Sequence, residues 1–308
     1  MSFIQTTPLR LALLLAATLG QAACGGGGSA SSDNGPALGT LSLAITDAPV
    51  HDVAEVWVQF SGISVKPKAG SPIDYVFDEP RTINLLALSD AKTASLLSDQ
   101  PLAAGAYNWV RLNVNADADG TFDSYVLTDI GAMVELEVPS QQGLQLSSGF
   151  TVTQNQATAF VIDWDLNKGL VAPAGANSWK LRPSLRITDQ NSFGTISGSV
   201  AESLMMADTC SNDLAEDIGN NVYVFAGSDI VPSDISGADT DPLVTAEVKQ
   251  DINGLYGYIM TFLSPGDYTV AFTCQAIDDS PDTVDNLIFT GTVNATVVDR
   301  GEAVVNFD

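Results

Sequence analysis

Chemistry in this chain would have to come from carboxylates, because 37 Asp and Glu stand against 12 Lys and Arg, one histidine and three cysteines. Asp278, Asp279, Asp282 and Asp285 crowd the run DDSPDTVD. At that density oxygen ligands can gather around a hard cation such as Ca2+; without one, the run is an acidic, mobile loop. Asp163 and Asp165 flank Trp164 in FVIDWDL and share one strand face, opposite Phe160, Ile162 and Trp164. That face is either solvated or holds a ligand or metal. Asn115–Gly120 (NADADG) follows the start of an EF-hand loop, but its twelfth position is Val126 rather than Glu, so it reads as a turn. A carboxylate hydrolase would need two acids about 5–10 Å apart in a cleft, and so acidic a chain offers too many pairs to rank. Nucleophilic chemistry would have to use His51 beside Asp52, and no GxSxG accompanies them. HExxH, Walker and GxGxxG patterns are also lacking. The sum points away from an enzyme.

Cysteine usage indicates the compartment. Met1–Ala23 has the parts of an export signal: Arg10, an apolar stretch from Leu11 to Leu19, and Ala22-Ala23 before Cys24. The stretch is shorter than the about 20 apolar residues a membrane span needs. The pattern resembles the bacterial lipobox, with Gln21 where that motif carries an aliphatic residue. The resemblance implies cleavage before Cys24 and lipidation of its sulfur. Gly25 rather than Asp after the cysteine implies, by the same resemblance, the outer membrane of a Gram-negative bacterium. Gly25–Gly35 (GGGGSASSDNG) is too polar to order itself and makes a flexible tether with a reach of about 18 Å. With Cys24 assigned to lipid, Cys210 and Cys274 remain as an even pair in an oxidising space and are expected to form a disulfide.

Behind the tether the chain divides into 38–190 and 191–308. The first part holds 17 acidic and 9 basic residues, a balance of −8; the second holds 19 and 2, a balance of −17. Such a surface repels nucleic acid and anionic lipid, leaving an envelope protein or glycan as the class of partner.

Elements that could position these residues read as strands throughout. Leu41, Leu43 and Ile45 share one face of TLSLAIT, and Val56, Val58 and Phe60 share one face of AEVWVQF. Further short strands follow at 62–66, 73–77, 106–115, 122–128, 132–138, 150–153, 157–165 and 179–188, broken by Gly, Pro, Asn and Asp. Only 83–97 (INLLALSDAKTASLL) looks helical or irregular. The second part repeats the pattern in GTISGSV, NVYVFAG, PLVTAEVKQD, GYIMTFL, LSPGDYTVAFTC, 288–298 and AVVNF. The expectation is an all-β protein of two tandem β-sandwiches.

The runs GTLSLAITDAPV, INLLAL…LLSDQPLAAGAYNWVRLNV, FVIDWDLNKGLV and WKLRPSLRITD resemble the bacterial lipoprotein domain of unknown function 4382 over about 38–190. The resemblance implies a β-sandwich behind a lipid anchor and supplies no activity. PGDYTV in the second part resembles prealbumin-like, carboxypeptidase regulatory-like sandwiches. AAGAYNWVRL and PGDYTV share one device, a glycine that turns the chain and a tyrosine that opens a strand, and such a corner tyrosine can bond back to nearby backbone. Trp164 alternates with core residues, whereas Trp57 and Trp109 fall opposite the aliphatic series of their strands. The function that fits is a non-catalytic outer-membrane lipoprotein acting as an envelope binding or surface-display module. A carboxylate hydrolase and a calcium-dependent adhesion module are the alternatives.

Overall fold

Alternating apolar residues become strands almost throughout the computed structural model, which describes residues 36–308 apart from 49, 51–52, 90–91, 140–142, 174 and 176. Cys24, the leader, the tether and His51 lie outside the described residues. The first half contributes β1 (Leu38–Ala48), β2 (Val53–Pro67), β3 (Ile73–Asn84), β4 (Ala94–Ala103), β5 (Gly105–Asn115), β6 (Tyr125–Thr128), β7 (Met133–Glu137), β8 (Leu144–Leu146), β9 (Phe150–Val152), β10 (Ala157–Asp165), β11 (Leu170–Val171), β12 (Ser178–Leu181) and β13 (Leu185–Asp189). One sheet runs β13-β10-β1-β4; the other runs β11-β12-β7-β6-β2-β5-β8, with β3 also on β2 and β9 on β5. Leu41, Leu43 and Ile45 of β1 and Ile162 and Trp164 of β10 meet Val56, Val58 and Phe60 of β2 in one core. Burying each such side chain contributes about 1.5–3 kcal/mol.

The runs expected as two strands, 54–60 and 62–66, are one strand, β2, with a bulge between Phe60 and Gly62. The bulge shifts the period by one, so inward residues change from Val56, Val58 and Phe60 to Ile63 and Val65. Glycine is required there, since a Cβ on Gly62 would sit 2.5 Å from the Tyr75 carbonyl oxygen. The stretch 83–97 is not a helix. It forms one 3-10 turn at Leu85–Leu88 and then enters β4, which pairs with β1 through two irregularities at Leu41–Ala44. Asp99, at φ 49°, interrupts β4, and its amide donates to Ser42 Oγ at 2.9 Å. Alternation is lost there although the segment is a strand.

The second half contributes β14 (Gly194–Ser199), β15 (Asn221–Ala226), β16 (Val244–Glu247), β17 (Lys249–Gln250), β18 (Tyr256–Leu263), β19 (Gly266–Thr273), β20 (Thr290–Val297) and β21 (Glu302–Val304). Its sheets run β17-β18-β14-β21 and β16-β15-β19-β20. Ile196, Val222, Val224, Met260, Val270 and Phe272 lie in the core between them. Tyr223 and Phe225 point out of β15 the other way, yet both are buried under Ile235, Ala276, Leu287 and Phe289 of the covering loops. Cys210 and Cys274 are joined as a disulfide that ties the segment after β14 to the end of β19.

Both tyrosine corners form. Tyr107 Oη donates to the Ala103 carbonyl at 2.8 Å and Tyr268 Oη to the Ser264 carbonyl at 2.6 Å, four residues back in each case. Trp164 is core. Trp57 stacks on Tyr125 at 6.3 Å and Trp109 lies under the Arg111 guanidinium at 4.8 Å, so both pack at half-buried outer positions. Pro36–Asp308 form one compact unit in which the two sandwiches meet.

Candidate functional site

Two clusters of charged residues place the carboxylates singled out above. The first lies on the outer face of β15. Tyr223 Oη donates to Asp279 Oδ2, the Ile235 amide donates to Asp279 Oδ1 at 3.0 Å, and the Asp285 amide donates to Asp234 Oδ2. Asp285 in turn accepts from the Ser280 amide at 2.8 Å and the Thr283 hydroxyl. Oxygens of Asp234, Asp279 and Asp285 lie within 4.8 Å of one another. Of the four expected ligands, therefore, Asp279 and Asp285 converge, and their companion is Asp234 from another loop. Asp282 instead meets Arg182 of the first sandwich at 2.6 Å, and Asp278 is exposed on a 3-10 turn. These bonds tie the run to the loops that cover Tyr223 and Phe225. Burial, with Asp234 and Asp285 adding repulsion, pushes the Asp279 carboxyl up to about 6 against the opposing bonds from Tyr223 and Ile235.

The second cluster is the joint between the sandwiches. Asp163 and Asp165 do share one strand face, but the face is not solvated: they are 7% and 5% exposed. Local alternation could not reveal this, because the cover comes partly from the second sandwich. Arg186, opposite Asp163 in the β10–β13 ladder, binds Asp163 Oδ2 with Nη2 and donates from Nη1 to the Phe262 carbonyl of β18. Thr188 Oγ1 donates to the same carbonyl at 2.8 Å. Phe262 takes a φ of 56°, a strained backbone for an aromatic residue, and packs on Phe193 at 4.9 Å between ring centres. Nearby, Asn167 donates to Thr245 Oγ1 at 3.0 Å and Lys168 Nζ to the Pro242 carbonyl. Lys168, Arg182 and Arg186, three of the nine cations between 38 and 190, thus reach into the acidic partner.

Asp165 caps the short helix Leu166–Gly169 by accepting from the Lys168 amide, while its Oδ2 has no hydrogen-bond partner among the described residues. Burial raises its carboxyl to about 6 from 3.8, with Asp163 adding repulsion and Lys168 and Arg186 opposing. Because the folded state holds this proton more tightly, Asp165 favours folding below pH about 4, and that benefit is lost as pH rises through about 6. The difference is worth at most about 3 kcal/mol. Asp165→Asn keeps the cap and removes the charge. It should raise stability by about 1–3 kcal/mol at pH 7.5 and by no more than about 0.5 kcal/mol at pH 4, as read from urea midpoints at the two pH values. Equal midpoints at pH 7.5 would show that ionised Asp165 carries no such penalty.

No curated protein matches the sequence. Among solved structures the chain is similar to the Bacillus anthracis TIE protein (11% identity, 88% of this chain, 33% of that one, TM-score 0.19). It is similar also to GBS52, the minor pilin of Streptococcus agalactiae (10%, 87% and 94%, 0.19), and to a fimbrial protein of Bacteroides ovatus (10%, 89% and 49%, 0.20). The chain spans about a third of the TIE protein's length. Likenesses at these TM-scores carry no functional inference, and the all-β assignment stands on the strand pairing described above. Residues 38–183, which form nearly all of the first sandwich, match the family model for DUF4382, so this sandwich is a domain of unknown function of that family.

Proposed function

We propose that the protein is a non-catalytic envelope module held on the outer membrane by a lipid on Cys24, presenting two β-sandwiches for binding or display. The observation that carries the reading is the order of parts: an apolar leader, small residues before Cys24, a Gly/Ser tether, and then a body that starts its first strand at Leu38. The disulfide is in keeping with an oxidising compartment. A carboxylate hydrolase gains no support from Asp163 and Asp165, because Asp163 lines the cleft at β16 and β18 and Asp165 does not. Mass spectrometry of the mature N-terminus should find a diacylglyceryl group on Cys24, and Cys24→Ala should move the protein from the membrane to the soluble fraction. A Cys24→Ala chain that was cleaved normally and still sedimented with membranes would defeat the anchor.

A further inference from the structure

A cleft of about 390 Å³ opens between β16 and β18 in the second sandwich, at the lower end of the range of ligand sites. Two strand edges face it. Among the described residues, β16 pairs only with β15, and β18 pairs with β14 and, at Tyr256 and Gly257 alone, with β17. The chain passes from one sheet to the other at Val248, between β16 and β17, while Thr46 and Asp163 of the first sandwich line the opposite side. Val244, Ala246, Tyr256, Tyr258 and Met260 line the cleft and belong to the hydrophobic core, so the opening leads onto apolar side chains at alternate strand positions. Lys249, Gln250 and Asp251 also line it, and Leu255 is 67% exposed there.

From these edges we infer that the cleft accepts an extended peptide strand from a partner, with alternating apolar side chains and basic flanks. Strand addition uses both features of the site: backbone hydrogen bonding along β16 and along β18 short of Phe262, whose carbonyl is already taken by Arg186 and Thr188, and apolar side chains at every second position. Charge selects the flanks, since 191–308 carries 19 acidic against 2 basic residues and attracts cationic segments at low salt. The inference adds a partner class to the proposed function but does not depend on the lipid, so the two can fail separately.

The full chain would be titrated at low salt with the fluorescently labelled peptide KKVTVTVKK. Parallel titrations would use the same peptide N-methylated at its central valine and the acidic EEVTVTVEE. Binding of KKVTVTVKK should be weakened about tenfold or more by N-methylation, which removes an edge donor, and by the acidic flanks. Ala246→Phe, which fills the cleft, should abolish it in protein that still unfolds in one cooperative transition. If Ala246→Phe does not fold, paramagnetic labelling of the peptide must broaden the amide signals of β16 and β18 in the unaltered chain. No binding of KKVTVTVKK, equal binding of the N-methylated peptide, or broadening elsewhere would overturn the inference. Equal binding of a neutral apolar dye and the peptide, with mutual displacement, would reassign the cleft to small molecules and overturn it as well.

Discussion

Arg186→Met should destabilise the chain by about 3–5 kcal/mol, the cost expected when one partner of a buried ion pair is removed. The side chains of Arg186 and Asp163 are 16% and 9% exposed, so solvent cannot replace the lost cation. The substitution leaves Asp163 as an uncompensated charge and removes one of two donors to the Phe262 carbonyl. Its effect should reach across the joint. Urea unfolding followed separately by tryptophan fluorescence, which reports only the first sandwich, and by backbone circular dichroism should give coincident transitions in the native chain and separated ones in the variant. Asp163→Asn in the Arg186→Met background should recover part of the loss, because it removes the stranded charge. A single variant within about 0.5 kcal/mol of the parent would mean that the Asp163–Arg186 pair does not hold the joint.

Removing the disulfide with Cys210→Ser and Cys274→Ser together should cost about 2–4 kcal/mol. The bridge spans a sequence separation of 64, for which loop-closure entropy predicts about 4 kcal/mol before native strain is counted. The segment it holds contains one short helix, Glu202–Met205, and an isolated bridge between Asp213 and Ile218, and is tied to the end of β19 by single hydrogen bonds such as Ser211 to Cys274 and Gln275 to Thr209. Limited proteolysis of the double variant should therefore cut first between Met206 and Gly219, with the strands of both sheets intact. Simultaneous degradation of the whole second sandwich would show that the bridge supports the sheets rather than the segment.

Sequence reading went furthest where one strand face meets one core. Leu41, Leu43 and Ile45, the alternation at Trp164 and both tyrosine corners involve partners that period-two geometry or a separation of four residues already implies. It stopped where irregular pairing erased the period, as in β4, where Leu96 and Leu97 are adjacent and both buried. It stopped again where the partner is distant in sequence. Nothing within DDSPDTVD indicates that Asp234 will join Asp279 and Asp285, or that Asp282 will turn to Arg182. Alternation puts Asp163 and Asp165 on the correct face, but what covers that face lies more than 70 residues further on, at Phe262 and Thr245.

The interlock over β15 also bears on how this protein can change by descent. Surface loops ordinarily tolerate insertions, since each doubling of length adds only about 0.6 kcal/mol of closure entropy. The loops bearing Asp234 and Asp285 have less freedom, because the Asp285 amide binds Asp234, the Ile235 amide binds Asp279, and Tyr223 binds Asp279 from below. An insertion in either loop displaces a donor from an acceptor in the other and uncovers Tyr223 and Phe225. Lineages of this sandwich would then lengthen or shorten the two loops together, or not at all, and an acid lost at one of the three positions would favour loss of the others.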